Sequence, residues 1–366
     1  MLRFSPEKDI TKVGVDTSVV KKKGIFDVSI INHRERVARV EPLNKPADVH
    51  FFDIAVPIPG GIRIPTRVYL PPEETAPVAT LFYIPGTAFV ARDSKFTQVV
   101  CSHICQRARC QVIVINHRLA PENPSPTSYL DSYEVFKFFV GNKPVADHFS
   151  VDRNRIALGG YSSGGNIAAL MAIQAKQDHI PVRLQVLISP IVDLSRRLTK
   201  FSQWEEQDTD ISEEFVNWFL DLYFSTENMN PEDPHVSPIW RSKNELKGLP
   251  PTTIVVAEYD RFRSDAEAYY EKLTEAGVFT NRIFLDKENH SYLWHKLAIV
   301  EKIADDILRP AFHGQPIYSI ATKHRLSFIL PNINGGPIVT AKTEEQNKNP
   351  QDDDARFIVN KAQAKL

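Results

Sequence analysis

Cysteine is nearly absent from this chain, at 3 of 366 residues. Cys101, Cys105 and Cys110 fall in the single stretch "CSHICQRARC". An odd, clustered count does not describe a disulfide framework, so a reducing, cytoplasm-like compartment is expected. An excess charge of one sign is also missing: 44 Lys and Arg stand against 45 Asp and Glu, a net charge of −1. Lys21-Lys22-Lys23 is too short a basic run to make the electrostatic footprint of a nucleic-acid binder. No apolar run reaches transmembrane length, and the opening "MLRFSPEKDITKVGVD" lacks the apolar core of a signal peptide, so neither a membrane span nor Sec export is expected. What is present is ordinary for a folded globular protein: 42% hydrophobic and 24% charged residues, with 21 Phe and 11 Tyr. The length suits one large α/β domain carrying insertions better than two modest ones.

The apolar runs give the order of the fold. "VHFFDIAVPIPGGIRIPTRVYLPPE" alternates apolar and polar residues around Pro59-Gly60-Gly61, the pattern of a hairpin. Apolar, β-rich runs follow at 79–84, 111–116, 155–158, 183–189, 252–257 and 282–285, with helical stretches between most of them. Such alternation predicts an α/β fold, a mostly parallel twisted sheet of about eight strands with helices on both faces. Residues 49–193 and 249–310 are assigned to that core, 1–48 to an N-terminal segment packed on it, 194–248 to an insertion and 311–366 to a C-terminal extension. Within the insertion, "ISEEFVNWFLDLYF" repeats Phe215, Trp218, Phe219 and Leu222 at helical spacing, a stripe that serves plain packing or a lid over a pocket. In the extension, "IYSIATKHRLSFIL" has the composition of a further strand. "AKTEEQNKNPQDDDARFIVNKAQAKL" is polar enough to be mobile, and it could also be read as an interaction or secretion signal.

Chemistry enters at "IALGGYSSGGNIAALMA", 156–172. Gly160-Tyr161-Ser162-Ser163-Gly164 fits G-x-S-x-G directly after a strand and at the start of a predicted helix over 163–177. A strand that turns at once into a helix strains the central residue and needs small neighbours two positions away. That turn exposes the Ser162 hydroxyl beside the Ser163 N–H and the positive helix end. The loop lacks the Lys of a phosphate-binding P-loop and the spacing of a dinucleotide fingerprint. A serine needs a base, and the base needs an acid to orient it. Asp260 follows "TTIVVAEYD" and His290 follows "RIFLDKENHSY", so both are expected at the carboxyl edge of the sheet in the order Ser, Asp, His. Glu258 and His295 are the rivals, His295 lying inside the predicted helix "SYLWHKLAIVEKIADDIL". A bland alternative for Asp260, capping the helix "SDAEAYYEKL", is better met by Ser264. A metal site from the three cysteines with His103 is the weaker reading, since Cys101 and Cys105 also sit one helical turn apart, as buried small hydrophobes do. No metal and no cofactor are called for.

On these residues the chain resembles the hormone-sensitive lipase family of carboxylesterases within the α/β-hydrolases, from about residue 50 to residue 308. "INHRLAPENPSPTSYLDSYE" is similar to the family's Tyr-Arg-Leu-Ala-Pro-Glu segment, "SVDRNRIALGGYSSGGNIAA" to its nucleophile region, "DPHVSPI" to its cap exit and "AEYDRFRSDAEAY" to its acid segment. The resemblance implies a serine hydrolase for small-molecule esters of short or medium acyl chains, with a cap built from the N-terminal segment and the insertion after the sixth strand. It also implies an oxyanion hole from a His-Gly-Gly-Gly loop after the third strand. Here that loop reads Pro85-Gly86-Thr87-Ala88. Gly86 and Thr87, with Ser163, are the expected N–H donors, although Thr and Ala resist the positive φ that glycine permits. Tyr161 stands where the family has an acidic residue. Phe89, Trp218, Phe219 and Tyr292 are the candidates for the pocket wall. Two other readings stay open: an amidase on the same triad, and a non-catalytic binding protein like the plant gibberellin receptors, which the family resemblance also covers.

Overall fold

The computed structural model describes residues 26–72, 77–197, 211–226 and 229–314. The expected strand at "IYSIATKHRLSFIL", the polar tail and any signal in it lie outside these residues. In chain order the elements are helix α1 (Phe26–Arg39), strands β1 (His50–Ile58), β2 (Ile62–Leu70) and β3 (Val78–Ile84), helix α2 (Ser94–Ala108), and strand β4 (Gln111–Ile115). Helices α3 (Thr127–Val140) and α4 (Lys143–His148), strand β5 (Val151–Tyr161), helix α5 (Ser163–Gln177) and strand β6 (Leu184–Ile188) follow. Next come helices α6 (Glu213–Tyr223) and α7 (Lys243–Leu246), strand β7 (Thr252–Ala257), helix α8 (Arg263–Glu275), strand β8 (Thr280–Leu285), and helices α9 (Leu297–Ile303) and α10 (Arg309–Phe312).

The eight strands form one sheet in the order β1-β2-β4-β3-β5-β6-β7-β8. β1 and β2 pair antiparallel through a turn in which Gly60 and Gly61 take φ of 83° and 76°, and β2 runs antiparallel to β4. From β4 to β8 every pairing is parallel. Parallel strands need cover on both faces, and the side-chain alternation shows how it is supplied. Phe82, Ile84, Ile113, Leu158, Leu187 and Ile254 point into one apolar cluster with α3, α5, α6 and α8. Their neighbours Leu81, Tyr83, Val114, Ala157, Val186 and Val255 point into the other, with α2, α9 and α10. Phe82 is fully buried, with Phe136 edge-on at 5.0 Å.

Two local expectations are corrected. Ser264 lies inside α8 and does not cap it; the cap position is Phe262, whose N–H donates to Asp260 Oδ1 at 2.8 Å. The segment after β8 is not one helix, since a 3-10 turn spans His290–Trp294, α9 begins at Leu297 and His295 stands in the break. The three cysteines are buried free thiols, and burial pushes the Cys105 thiol up to about 12. Among the described residues no three His, Cys, Asp or Glu gather as metal ligands, and no helix is long and apolar enough to cross a membrane.

His117, two residues past β4, is a buried imidazole whose Nδ1 lies 2.8 Å from the Arg118 carbonyl. Burial, with help from Arg92, lowers its pKa to about 4 against the raising effect of that carbonyl. The folded value lies below the unfolded one of about 6.5, so the stability is complete above pH 6.5 and is lost as pH falls towards 4. Urea unfolding at pH 7 and pH 4.5 should show His117→Gln losing less stability on acidification than the wild type. Equal losses would contradict this account.

Candidate active site

The site is built at the carboxyl ends of β5, β7 and β8. At the end of β5 the chain reverses into α5 without a loop, and Ser162 at the seam takes φ 57°, ψ −120°. A non-glycine residue held there is strained, and the packing around it shows why the strain is enforced. A Cβ on Gly160 would come within 2.2 Å of the Gly164 carbonyl oxygen, and one on Gly164 within 2.0 Å of the Ile84 carbonyl oxygen. Strand, turn and helix can pass this closely only with bare backbone at both places. The Ser162 N–H donates to the Ile188 carbonyl at 2.8 Å, which fixes the turn to β6.

Asp260 and His290 arrive on the connections after β7 and β8. His290 Nε2 is 2.9 Å from Ser162 Oγ, and His290 Nδ1 is 2.9 Å from Asp260 Oδ1. All three side chains are buried, so the chain of hydrogen bonds is shielded from bulk water. Because Asp260 Oδ1 also accepts the Phe262 N–H, the carboxylate is fixed by its own turn before it meets the imidazole. The rival residues stand elsewhere. Glu258 accepts the Lys287 N–H at 2.7 Å, and His295 is half-exposed and pairs with Glu288 at 3.4 Å.

The loop after β3 departs from expectation. The Thr87 N–H donates to Ser163 Oγ at 3.0 Å, so this expected oxyanion donor is already engaged by the residue after Ser162. Ala88 and Phe89 both take left-handed backbone, at φ 51° and 63°, despite their side chains. The hold on them is external: the Phe89 ring stacks on Tyr223 of α6 at 4.0 Å and 14°, and its carbonyl accepts the Ala120 N–H at 3.0 Å. Arg34 of α1 adds a clamp that leaves no trace in the residue pattern. Its Nε donates to the Val90 carbonyl at 2.7 Å, while its other nitrogens reach the Ala120 carbonyl and the Glu122 carboxylate. Ala88 N–H has no acceptor among the described residues. The Ser163 N–H, at the first position of α5, has no preceding helical carbonyl to bond.

Of the expected pocket residues, Phe89, Phe219 and Tyr292 have essentially no accessible surface, which leaves them no face open to a ligand in this structure. Phe89 and Phe219 pack between the loop and α6, and Tyr292 sits in the cluster on the far face of the sheet. Trp218 is partly exposed and meets His33 of α1 edge-on at 5.2 Å. Sequence reasoning missed what Tyr161 does: its hydroxyl donates to the His290 carbonyl at 2.7 Å. The only signal for it was the replacement of the usual acidic residue.

The chain is similar in sequence and fold to known proteins. A family described by the α/β hydrolase fold matches residues 81–294. The carboxylesterase NlhH of Mycobacterium tuberculosis is 30% identical over 276 residues, covering 74% of this chain and 83% of that protein. The carboxylic ester hydrolase LipN of the same organism is 30% identical over 251 residues, or 67% of this chain; this chain spans 65% of LipN, just under two thirds of its length. Among solved structures, a hyperthermophilic esterase from the archaeon Pyrobaculum calidifontis superposes with a TM-score of 0.65 at 27% identity, over 81% of this chain and 94% of that one.

The strained Ala88 generates a stability prediction. A left-handed non-glycine residue costs about 1 kcal/mol, so Ala88→Gly should raise the melting temperature by about 2 °C. A fall in melting temperature would contradict the φ assigned to this loop.

Proposed function

This chain belongs to the α/β-hydrolase fold family, and on that premise we propose that it is a serine hydrolase that cleaves carboxylic esters of short or medium acyl chains through an acyl-enzyme. The observation that carries the reading is the continuous pair of 2.9 Å contacts from Ser162 Oγ through His290 to Asp260. Ser162 attacks the ester carbonyl while His290 Nε2 takes its proton, and the imidazolium then passes that proton to the leaving alcohol. Asp260 holds Nδ1 in the required tautomer and stabilises the charged ring. Water, activated by the same imidazole, releases the acid. The Ser163 N–H binds the oxyanion, joined from the loop by Gly86 and Ala88. Thr87 acts indirectly, since its N–H holds Ser163 Oγ. Metal and cofactor take no part in these steps.

The names of the relatives support the ester class, since NlhH is a carboxylesterase, LipN a carboxylic ester hydrolase and the Pyrobaculum protein an esterase. The cap in this reading is formed by α1 with the insertion bearing α6, which meet through His33, Phe215 and Trp218 at ring distances of 5.2 Å. Burial, followed by the charges of Arg36 and Arg34, lowers the His33 pKa to about 4, so this contact is made by a neutral ring at neutral pH. A reducing compartment fits the three free thiols.

The test compares the wild type with Ser162→Ala and Asp260→Asn, using a fluorophosphonate probe and p-nitrophenyl acetate and butyrate. Ser162→Ala should lose both labelling and turnover. Asp260→Asn should drop kcat by about four orders of magnitude, as expected for a base left in the wrong tautomer. Failure of the wild type to label would refute the hydrolase reading in favour of a binding protein. Labelling with turnover of anilides in preference to esters would replace the esterase by an amidase.

A further inference from the structure

We propose that Tyr161 is a positioning residue for the catalytic base, holding His290 in line with Ser162; the proposal rests on the serine-hydrolase reading above. The need for such a residue follows from topology. Ser162 follows β5 and His290 follows β8, and β6 and β7 lie between those strands in the sheet. The strand ladder therefore fixes Ser162 directly, whereas His290 sits on an irregular connection of which no part is a ladder partner of β5.

Tyr161 closes that gap. It is the last residue of β5, and its ring lies on the opposite face of the sheet from the cluster that packs α5, in the same cluster as Tyr292 and Leu293. From there its hydroxyl donates to the His290 carbonyl at 2.7 Å, in a buried bond. The same ring lies 5.3 Å from the imidazole at 24°, a stacked contact that limits rotation of the ring whose two nitrogens must meet Asp260 and Ser162. Phe262 closes on the imidazole from another side at 5.2 Å and 71°. One residue therefore fixes both the backbone and the ring plane of His290.

Tyr161 also supports the loop after β3. A Cβ on Gly86 would fall 2.4 Å from the Tyr161 carbonyl oxygen and 2.5 Å from its Cδ1, so the loop rests directly on this side chain. Phe96 meets the Tyr161 ring at 6.3 Å and stacks on Trp294 at 4.6 Å, a second route from Tyr161 to the His290–Trp294 turn. Base and loop are thus referenced to Tyr161, the residue next to Ser162, and the Tyr161 hydroxyl is spent on the His290 carbonyl. An acidic residue at 161 could supply neither the ring contact nor, when ionised, a proton for the His290 carbonyl.

The experiment measures kcat and KM for p-nitrophenyl butyrate, the second-order rate of fluorophosphonate labelling, and the melting temperature for the wild type, Tyr161→Phe and Tyr161→Leu. Tyr161→Phe removes only the hydroxyl, and a base displaced by a fraction of an ångström should lower kcat about tenfold with KM within about twofold. Labelling should slow in step with kcat, and Tyr161→Leu, which also loses the stacked ring, should fall about a further tenfold. Tyr161→Phe should melt within a few degrees of the wild type; if Tyr161→Leu does not fold, Tyr161→Phe decides. Wild-type kcat in Tyr161→Phe, or a loss confined to KM, overturns the positioning role while leaving the hydrolase reading intact. Absence of labelling in the wild type overturns that reading, and the proposal with it.

Discussion

The contact between His290 Nε2 and Ser162 Oγ joins residues 128 apart in sequence at 2.9 Å, and the proposed chemistry depends on holding it there. A single hydrogen bond of this kind contributes only about 1 kcal/mol net, far too little to bring three chain segments together. The sheet makes the encounter. Parallel strands deliver β5, β7 and β8 with their carboxyl ends on one rim, and the two apolar clusters hold them there. Short connections then carry the polar groups the last few ångströms, where local bonds such as Asp260 to the Phe262 N–H fix each orientation.

Backbone strain at the rim is the counterpart of that order. Ser162, Ala88 and Phe89 all stand at positive φ, a conformation that their side chains disfavour. At Ser162 the strain follows from the close crossing of Gly160 and Gly164. At the loop it is held from outside, by the stacked Tyr223 ring and by Arg34. α1 and α6 are therefore mechanically joined to the loop beside Ser162, although both lie outside the sheet.

Much of this was legible in the residues. Apolar runs at fixed order gave the sheet, since a strand buried on both faces leaves little choice of side chain. G-x-S-x-G after a strand has a steric meaning that the Gly160 and Gly164 contacts reproduce, and the positions of Asp260 and His290 followed from chain order. The misses have a common cause. Thr87, expected to offer a free N–H, is engaged by a serine hydroxyl 76 residues away, and the Arg34 clamp spans 56 residues. The partners of such polar groups are chosen by tertiary geometry and leave no periodic trace. Glycine appeared necessary for the loop because its local cost is visible in sequence, whereas the contacts that force Ala88 and Phe89 into the same region are not. His295 reads as helical because apolar residues continue on both sides of the break between Trp294 and Leu297.

The central claim is that the strained turn presents one hydroxyl, that of Ser162, to a base held by Asp260. Mass-spectrometric mapping of the fluorophosphonate adduct on the wild-type protein tests it most directly, because Ser163 is the adjacent residue and its hydroxyl is committed to Thr87. The account predicts a single phosphonylated site at Ser162. An adduct on Ser163, or on a serine away from His290, would contradict it.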